Sequence, residues 1–286
     1  MRSTILKIQD KLPLTCNRSG TCCYDKMVHL NPWELHHFAK EKKITPREFR
    51  DLYCDFGGIR LIFNGKANSR GKQACIHYVE NFGCSTHSGR PLVCRLYPLG
   101  RQIQSEKIDY IFEGNDFPCL TECSDVVNLP QMTVDEYLKG QETIKFEKAQ
   151  DAYLELMQNL ADVAFTILLE TGLSESTKTK TLEKWMDLGS QLPDILVAEI
   201  GKEWINYLML PEIDIDDPVL FIETHNDFLQ SIAQDKFGSM NSNEEVHKAC
   251  VVMMASALYL ATSIGANPKN LAEHWVETAK NHGAKE

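Results

Sequence analysis

The distribution of cysteine constrains this chain more than any other feature. Nine of its ten cysteines (Cys16, Cys22, Cys23, Cys54, Cys75, Cys84, Cys94, Cys119 and Cys123) precede residue 124, and only Cys250 follows it. Cysteines that merely filled a core would be spread along all 286 residues. The N-terminal stretch MRSTILKIQDKLPLT lacks the apolar core of about 7–15 residues and the small-residue cleavage site of a secretory signal. The chain therefore reads as cytoplasmic and soluble. A reducing cytosol gives disulfides no role, so the clustered thiols point to a metal centre.

Three groupings carry that chemistry. The first is Cys16-x5-Cys22-Cys23, with Gly20 just before the pair. Ligation needs thiolates gathered on a tight loop, and glycine lets the backbone bend around them. The second is Cys75-x8-Cys84-x9-Cys94, and the third is Cys119-x3-Cys123, whose spacing suits one helical turn. Cys250 falls on the apolar stripe of a helix and reads as core.

Arginine shares the territory of the cysteines. All nine arginines lie within residues 1–124, where Lys and Arg exceed Asp and Glu by 18 to 13. Residues 125–286 hold 12 basic against 27 acidic residues, and the chain totals −10. Arginine suits rigid recognition of anions and buried ion pairs; docking of a basic half on an acidic half accounts for the same asymmetry. The acidic balance speaks against a nucleic-acid partner.

Cys16…Gly20-Thr21-Cys22-Cys23, Cys75, Cys84 and the segment Arg90-Pro91-Leu92-Val93-Cys94-Arg95-Leu96-Tyr97-Pro98 together resemble the YkgJ-type cysteine-cluster family, described as zinc- or iron-chelating. That family includes the flagellin lysine N-methylase, and the resemblance spans about residues 14–123. It implies Cys16, Cys22, Cys23, Cys75, Cys84 and Cys94 as cluster cysteines, joined by Cys119. Arg90 and Arg95 lie near Cys94 in the chain, where as cofactor-binding residues they would favour its thiolate and offset the charge of the centre, unless they pair with carboxylates. The family often reads C-x-x-C-G-x-C-C, and Ser19 stands here at the second of those cysteines. Cys54 or the Cys119/Cys123 pair could make good the missing thiol. Pro91 and Pro98 are expected to fix the backbone around Cys94.

Around these motifs the N-terminal part alternates short helices with short β-like runs. Asn31-Pro32 and Thr45-Pro46, the latter with Glu48, are helix starts. The runs IRLIF, ACIHYV and KIDYIF suggest small hairpins. Beyond SDVVNLPQM the texture turns helical. Thr133 with Glu136 opens a segment whose apolar stripe runs from Ala149 to Leu168 and stops at Gly172. Further helices are expected between Thr179 and Leu210, from Pro218 to about Phe237, from Asn243 to Gly265, and after Pro268. No run reaches the roughly 18 apolar residues of a membrane span; the longest, 249–261, reads as a buried helix. The expected fold is mainly α: a small irregular Cys-rich α+β metal-binding domain (1–128) packed on a C-terminal helical bundle (129–286).

Soft thiolates suit both an iron–sulfur cluster and zinc. The spacing lacks the short C-x2-C pairs of zinc ribbons, which favours iron–sulfur. Such a centre contributes on the order of 10–16 kcal/mol of apparent folding free energy if it behaves like small zinc domains. His77 and His87 lie between the thiols and are secondary candidates as ligands. The expected function is metal binding. The enzymatic alternative is a protein-lysine methyltransferase using S-adenosylmethionine, as the resemblance implies. A protein substrate or a small anionic ligand is the expected partner, with neither nucleic acid nor membrane. No G-x-G-x-x-G, P-loop, H-E-x-x-H or G-x-S-x-G motif is present.

Overall fold

The computed structural model describes residues 4–16, 19–104, 107–112, 114, 119–120, 123–170, 180–240 and 242–284. Its strands are β1 (Thr4–Leu6), β2 (Cys54–Asp55), β3 (Arg60–Leu61), β4 (Tyr78–Val79), β5 (Gly83–Cys84), β6 (Leu99–Gln104) and β7 (Lys107–Phe112). The helices begin with α1 (Pro32–Lys42), α2 (Pro46–Tyr53), α3 (Leu92–Leu96) and α4 (Val134–Gly140). They continue with α5 (Thr143–Glu170), α6 (Thr181–Gly189), α7 (Pro193–Ile200), α8 (Lys202–Met209), α9 (Pro218–Phe237), α10 (Asn243–Ser263) and α11 (Pro268–Asn281). Helix predominates, and the small sheets lie in the N-terminal part, as the sequence predicts.

Two compact units emerge. The first comprises Met1–Val28, His37–Thr45 and Leu61–Glu147; the second comprises His29–His36, Pro46–Arg60 and Lys148–Glu286. Two N-terminal segments group with the second unit, and residues 129–147 group with the first. The reason is local pairing. Lys11 bridges Thr133, Leu12 N donates to Met132 O at 2.9 Å, and the Tyr137 hydroxyl donates to Tyr97 O.

In the first unit an antiparallel sheet runs in the order β1-β7-β6. Leu99 pairs with Phe112 and Gln104 with Lys107, and Thr4 lies opposite Phe112 from the other side. Capping fixes α4: Glu136 N donates to Thr133 Oγ1 at 3.2 Å, and Thr133 N donates to Glu136 Oε2 at 2.8 Å. This reciprocal box satisfies two donors that a helix start otherwise leaves open. The expected single helix is two, however: α4 ends at Gly140, and Glu142 takes a left-handed φ of 54° before α5 begins.

The second unit is helical. Ser242 and Glu245 form another capping box at the start of α10. Val251–Ala261 are buried at every position, so α10 is a central helix rather than one with a single apolar face. It packs against α6 and α7, and α11 packs against α6. Close approach is needed there: a Cβ on Gly189 would lie 2.4 Å from the Ala272 Cβ. Cys250 is fully buried with its thiol 3.8 Å from Ala164 O, the expected core position. The stretch 212–217 is largely exposed, and Asp217 caps α9 by accepting from Leu220 N. Gly172 and Thr179 lie outside the described residues. By length and mean hydropathy α5 and α10 both reach the range of a membrane span, a range that core helices also reach without any continuous apolar run of that length. In α10, 83% of the most apolar 18-residue stretch is buried within the protein, which is the burial of a core helix.

Candidate metal centre

The loop that carries Cys22 and Cys23 depends on Gly20. Its φ of 77° is left-handed, and an added Cβ would lie 2.2 Å from Tyr78 Cε2, so both torsion and space call for glycine. Cys23 N then donates to Gly20 O at 2.8 Å, closing a single 3₁₀ turn, Thr21–Cys23. Cys23 O accepts from Cys75 N at 2.8 Å, and Tyr24 bridges Ala74, which brings the second cysteine segment alongside the first. The β4–β5 pairing sets Cys84 opposite Tyr78. Cys94 sits in the first turn of α3, with Pro91 at its N-cap, and its N–H donates to Pro91 O at 3.0 Å.

These segments enclose a cavity of about 200 Å³. All seven cysteines of the sequence-based set (Cys16, Cys22, Cys23, Cys75, Cys84, Cys94 and Cys119) line it, together with His77, His87, Arg90 and Lys26. Ser19, at the family's missing cysteine, also lines it, while Asn17 and Arg18 lie outside the described residues. Cys119 enters beside Thr21, with Oγ1 to Sγ 3.1 Å, and the Tyr97 hydroxyl is 3.5 Å from the same sulfur. Cys123 N donates to Cys119 O at 3.0 Å, yet Cys123 is not among the lining residues. Cys54 belongs to the second unit, among Arg50, Asp51 and Asp55.

The thiols surround a volume rather than a point. Among the described residues no three His, Cys, Asp or Glu side chains converge closely enough to hold a single ion. An apolar cavity of about 150 Å³ accommodates benzene, so this one has room for a group of several heavy atoms.

Charge is finely partitioned among the sulfurs. Cys22 and Cys23 share a hydrogen bond that lowers the Cys22 pKa and raises that of Cys23, leaving Cys22 the thiolate of the pair. Lys26 and Arg90 lower Cys22 further against its burial. Burial raises Cys94 and pushes Cys75 up to about 11, and the charges of Cys22 and Cys84 add to both shifts. Cys22, Cys23, Cys75, Cys84 and Cys94 thus form one electrostatic community. Like charges at close quarters keep protons on such thiols, and a bound cation displaces them. Burial lowers Lys26, opposed by Cys22, Cys94, Cys119 and Cys23 in that order. Burial, with a smaller effect of Lys42, lowers His77 to about 4, and its ring stacks on Phe38 at 5.3 Å.

The two arginines have different posts. Arg90 lines the cavity while its guanidinium donates to His87 O at 2.9 Å and Gln141 Oε1 at 3.0 Å. Arg95 is 4% exposed and lies outside the lining. It donates to Arg90 O at 2.7 Å, to Gln141 O at 2.8 Å and to Ser88 O, and stacks over Phe146 at 4.0 Å. Those contacts tie α3 and α4 together around Cys94. Sequence reasoning did not single out Lys26, which belongs to no ligand motif, and Thr21 entered only as part of the Gly20–Cys23 motif. Tyr97 lay inside the Arg90–Pro98 segment, but nothing in its spacing foretold its place at Cys119.

Residues 15–112 match the CxxCxxCC family model, described as a "putative zinc- or iron-chelating domain". The match covers the cysteine-bearing segment and agrees with the family resemblance carried by its motifs. No curated protein and no solved structure matches the chain. Chelation of zinc or iron is what that family model describes, and the likeness extends over residues 15–112 alone.

Proposed function

We propose that the seven-thiol cavity binds an iron–sulfur cluster, held by cysteines drawn from Cys16, Cys22, Cys23, Cys75, Cys84, Cys94 and Cys119. The observation that carries this reading is the spread of seven thiols around about 200 Å³, with no three metal-ligating side chains among the described residues converging on one point. A mononuclear zinc site draws four ligands to about 2.0–2.3 Å from a single ion. A cluster spreads its four cysteines over two or four irons and fills a larger volume. The donor set is all soft sulfur, and Lys26 and Arg90 offset its negative charge. Bound there, the cluster would supply one-electron exchange or a Lewis-acidic iron. The protein's own part is to hold the sulfurs, to keep Cys22 ionised through Cys23, and to limit solvent with Phe38 and Phe63. Reduced ligands need a reducing compartment, which suits the cytoplasm. Arg90 and Lys26 also suit a small anionic ligand at the cavity. Methyl transfer with S-adenosylmethionine rests on the sequence resemblance alone and gains nothing from these observations.

The test is anaerobic purification followed by metal and acid-labile sulfide analysis. Iron and sulfide in equal multiples per chain are expected. Stoichiometric zinc without sulfide would contradict the cluster while retaining a metal centre.

A further inference from the structure

The Lys26 side chain lies in the wall of the cysteine cavity, where a cation is costly unless something answers it. Its Nζ is 3.4 Å from the centroid of the Tyr97 ring, and the Tyr97 hydroxyl contacts Cys119 Sγ at 3.5 Å. Against burial, the charges of Cys22, Cys94, Cys119 and Cys23 favour the ammonium. The neighbouring acid Asp25 instead turns outward to Lys72 at 3.0 Å. Arg90, the other cation of the cavity, spends hydrogen bonds on His87 O and Gln141 Oε1. Lys26 thus has an aromatic face and a set of thiols as its surroundings.

We propose that Lys26 is the fixed counter-charge of the metal centre, a positioning and tuning residue that stabilises the thiolate-bound group against release. The inference rests on the metal-binding reading above but holds for zinc as for iron, since thiolates make either centre anionic. Net charge and groups around the sulfurs govern both metal retention and potential. Tyr97 fixes the ammonium by a cation–π contact and links it to Cys119. An arginine can fill the same role, whereas methionine keeps the length and loses the charge.

The test compares metal-loaded wild type with Lys26→Met and Lys26→Arg in full-length protein. Metal release to excess chelator is expected to be at least about tenfold faster in Lys26→Met and within about twofold of wild type in Lys26→Arg, taking outer contacts as worth 10–100-fold in affinity. If the metal is iron in a cluster, Lys26→Met should also shift the reduction equilibrium about tenfold toward the oxidised state, equivalent to 59 mV for one electron. Equal release from Lys26→Met and wild type would overturn the inference. So would a Lys26→Arg variant as leaky as Lys26→Met, which would mark packing on Tyr97 rather than charge. If Lys26→Met does not fold, Lys26→Gln carries the same expectation. Wild type that binds neither metal would overturn the underlying reading as well, a result distinct from a loaded wild type with an unaffected variant.

Discussion

Replacing Gly20 with alanine probes how the first cysteine loop is built. Two costs add. Holding an L-residue at φ 77° costs about 1–2 kcal/mol. The new Cβ would lie 2.2 Å from Tyr78 Cε2, so the ring must move from its edge contact with Tyr24 at 5.2 Å, costing about 1–3 kcal/mol. The stiffer unfolded chain returns about 0.4–1 kcal/mol. The net expectation is a loss of about 2–4 kcal/mol, measured as the denaturant unfolding midpoint of the metal-loaded protein. A double-mutant cycle separates the two costs. With Tyr78 already changed to alanine, the space is open and only the torsion remains, so Gly20→Ala should cost about 1 kcal/mol. The same penalty in both backgrounds, or no penalty in either, would refute the packing argument.

Further expectations follow from the same geometry. Cys22, Cys75, Cys84 and Cys94 changed singly to serine should each lower bound metal well below stoichiometric, whereas Cys123→Ser and Cys250→Ala should keep it, as elemental analysis will read. Arg95→Met strands the carbonyls of Ser88, Arg90 and Gln141 and should destabilise the protein by about 3–5 kcal/mol; an unchanged unfolding midpoint would contradict that role. His225 is fully buried between Tyr153 and Tyr207 O, and burial lowers its pKa to about 4. Nε2 donates to the carbonyl, so Nδ1 accepts from the Tyr153 hydroxyl and the ring is neutral when folded. Only the unfolded chain takes up this proton near pH 6.5, so the stability from His225 is present above about 6.5 and lost as pH falls toward 4. The total is about 3 kcal/mol. The slope between those pH values should shrink in His225→Gln.

Much of this was legible in the sequence for identifiable reasons. Helix starts were plain because capping is local: Asn31 Oδ1 accepts from Glu34 N at 2.8 Å, and the boxes at Thr133 and Ser242 close within four residues. The seven cysteines that line the cavity are those named from their motifs and family resemblance, although chain order alone did not separate Cys119 from Cys123. That difference depends on Thr21 and Tyr97, contacts made across 98 and 22 residues. Strand β6 was missed because Leu99–Gln104 includes Gly100, Arg101 and two glutamines, and its identity comes from pairing with β7. Within α10, already read as a buried helix over 249–261, Ser256 and Thr262 are polar side chains that burial must accommodate. Both hydroxyls fold back onto carbonyls four residues earlier, at 2.7 and 3.1 Å, which lets that helix sit in the interior.

The central claim is that one set of thiols around one cavity holds the metal. Alkylation of each cysteine, followed by mass spectrometry with and without the metal, tests it most directly. Cys22, Cys23, Cys75, Cys84 and Cys94 should be protected together in the loaded protein and become reactive together when the metal is stripped, while Cys123 labels alike in both states. Stripping that leaves those five unchanged, or that exposes Cys54 or Cys123 in their place, would contradict the account.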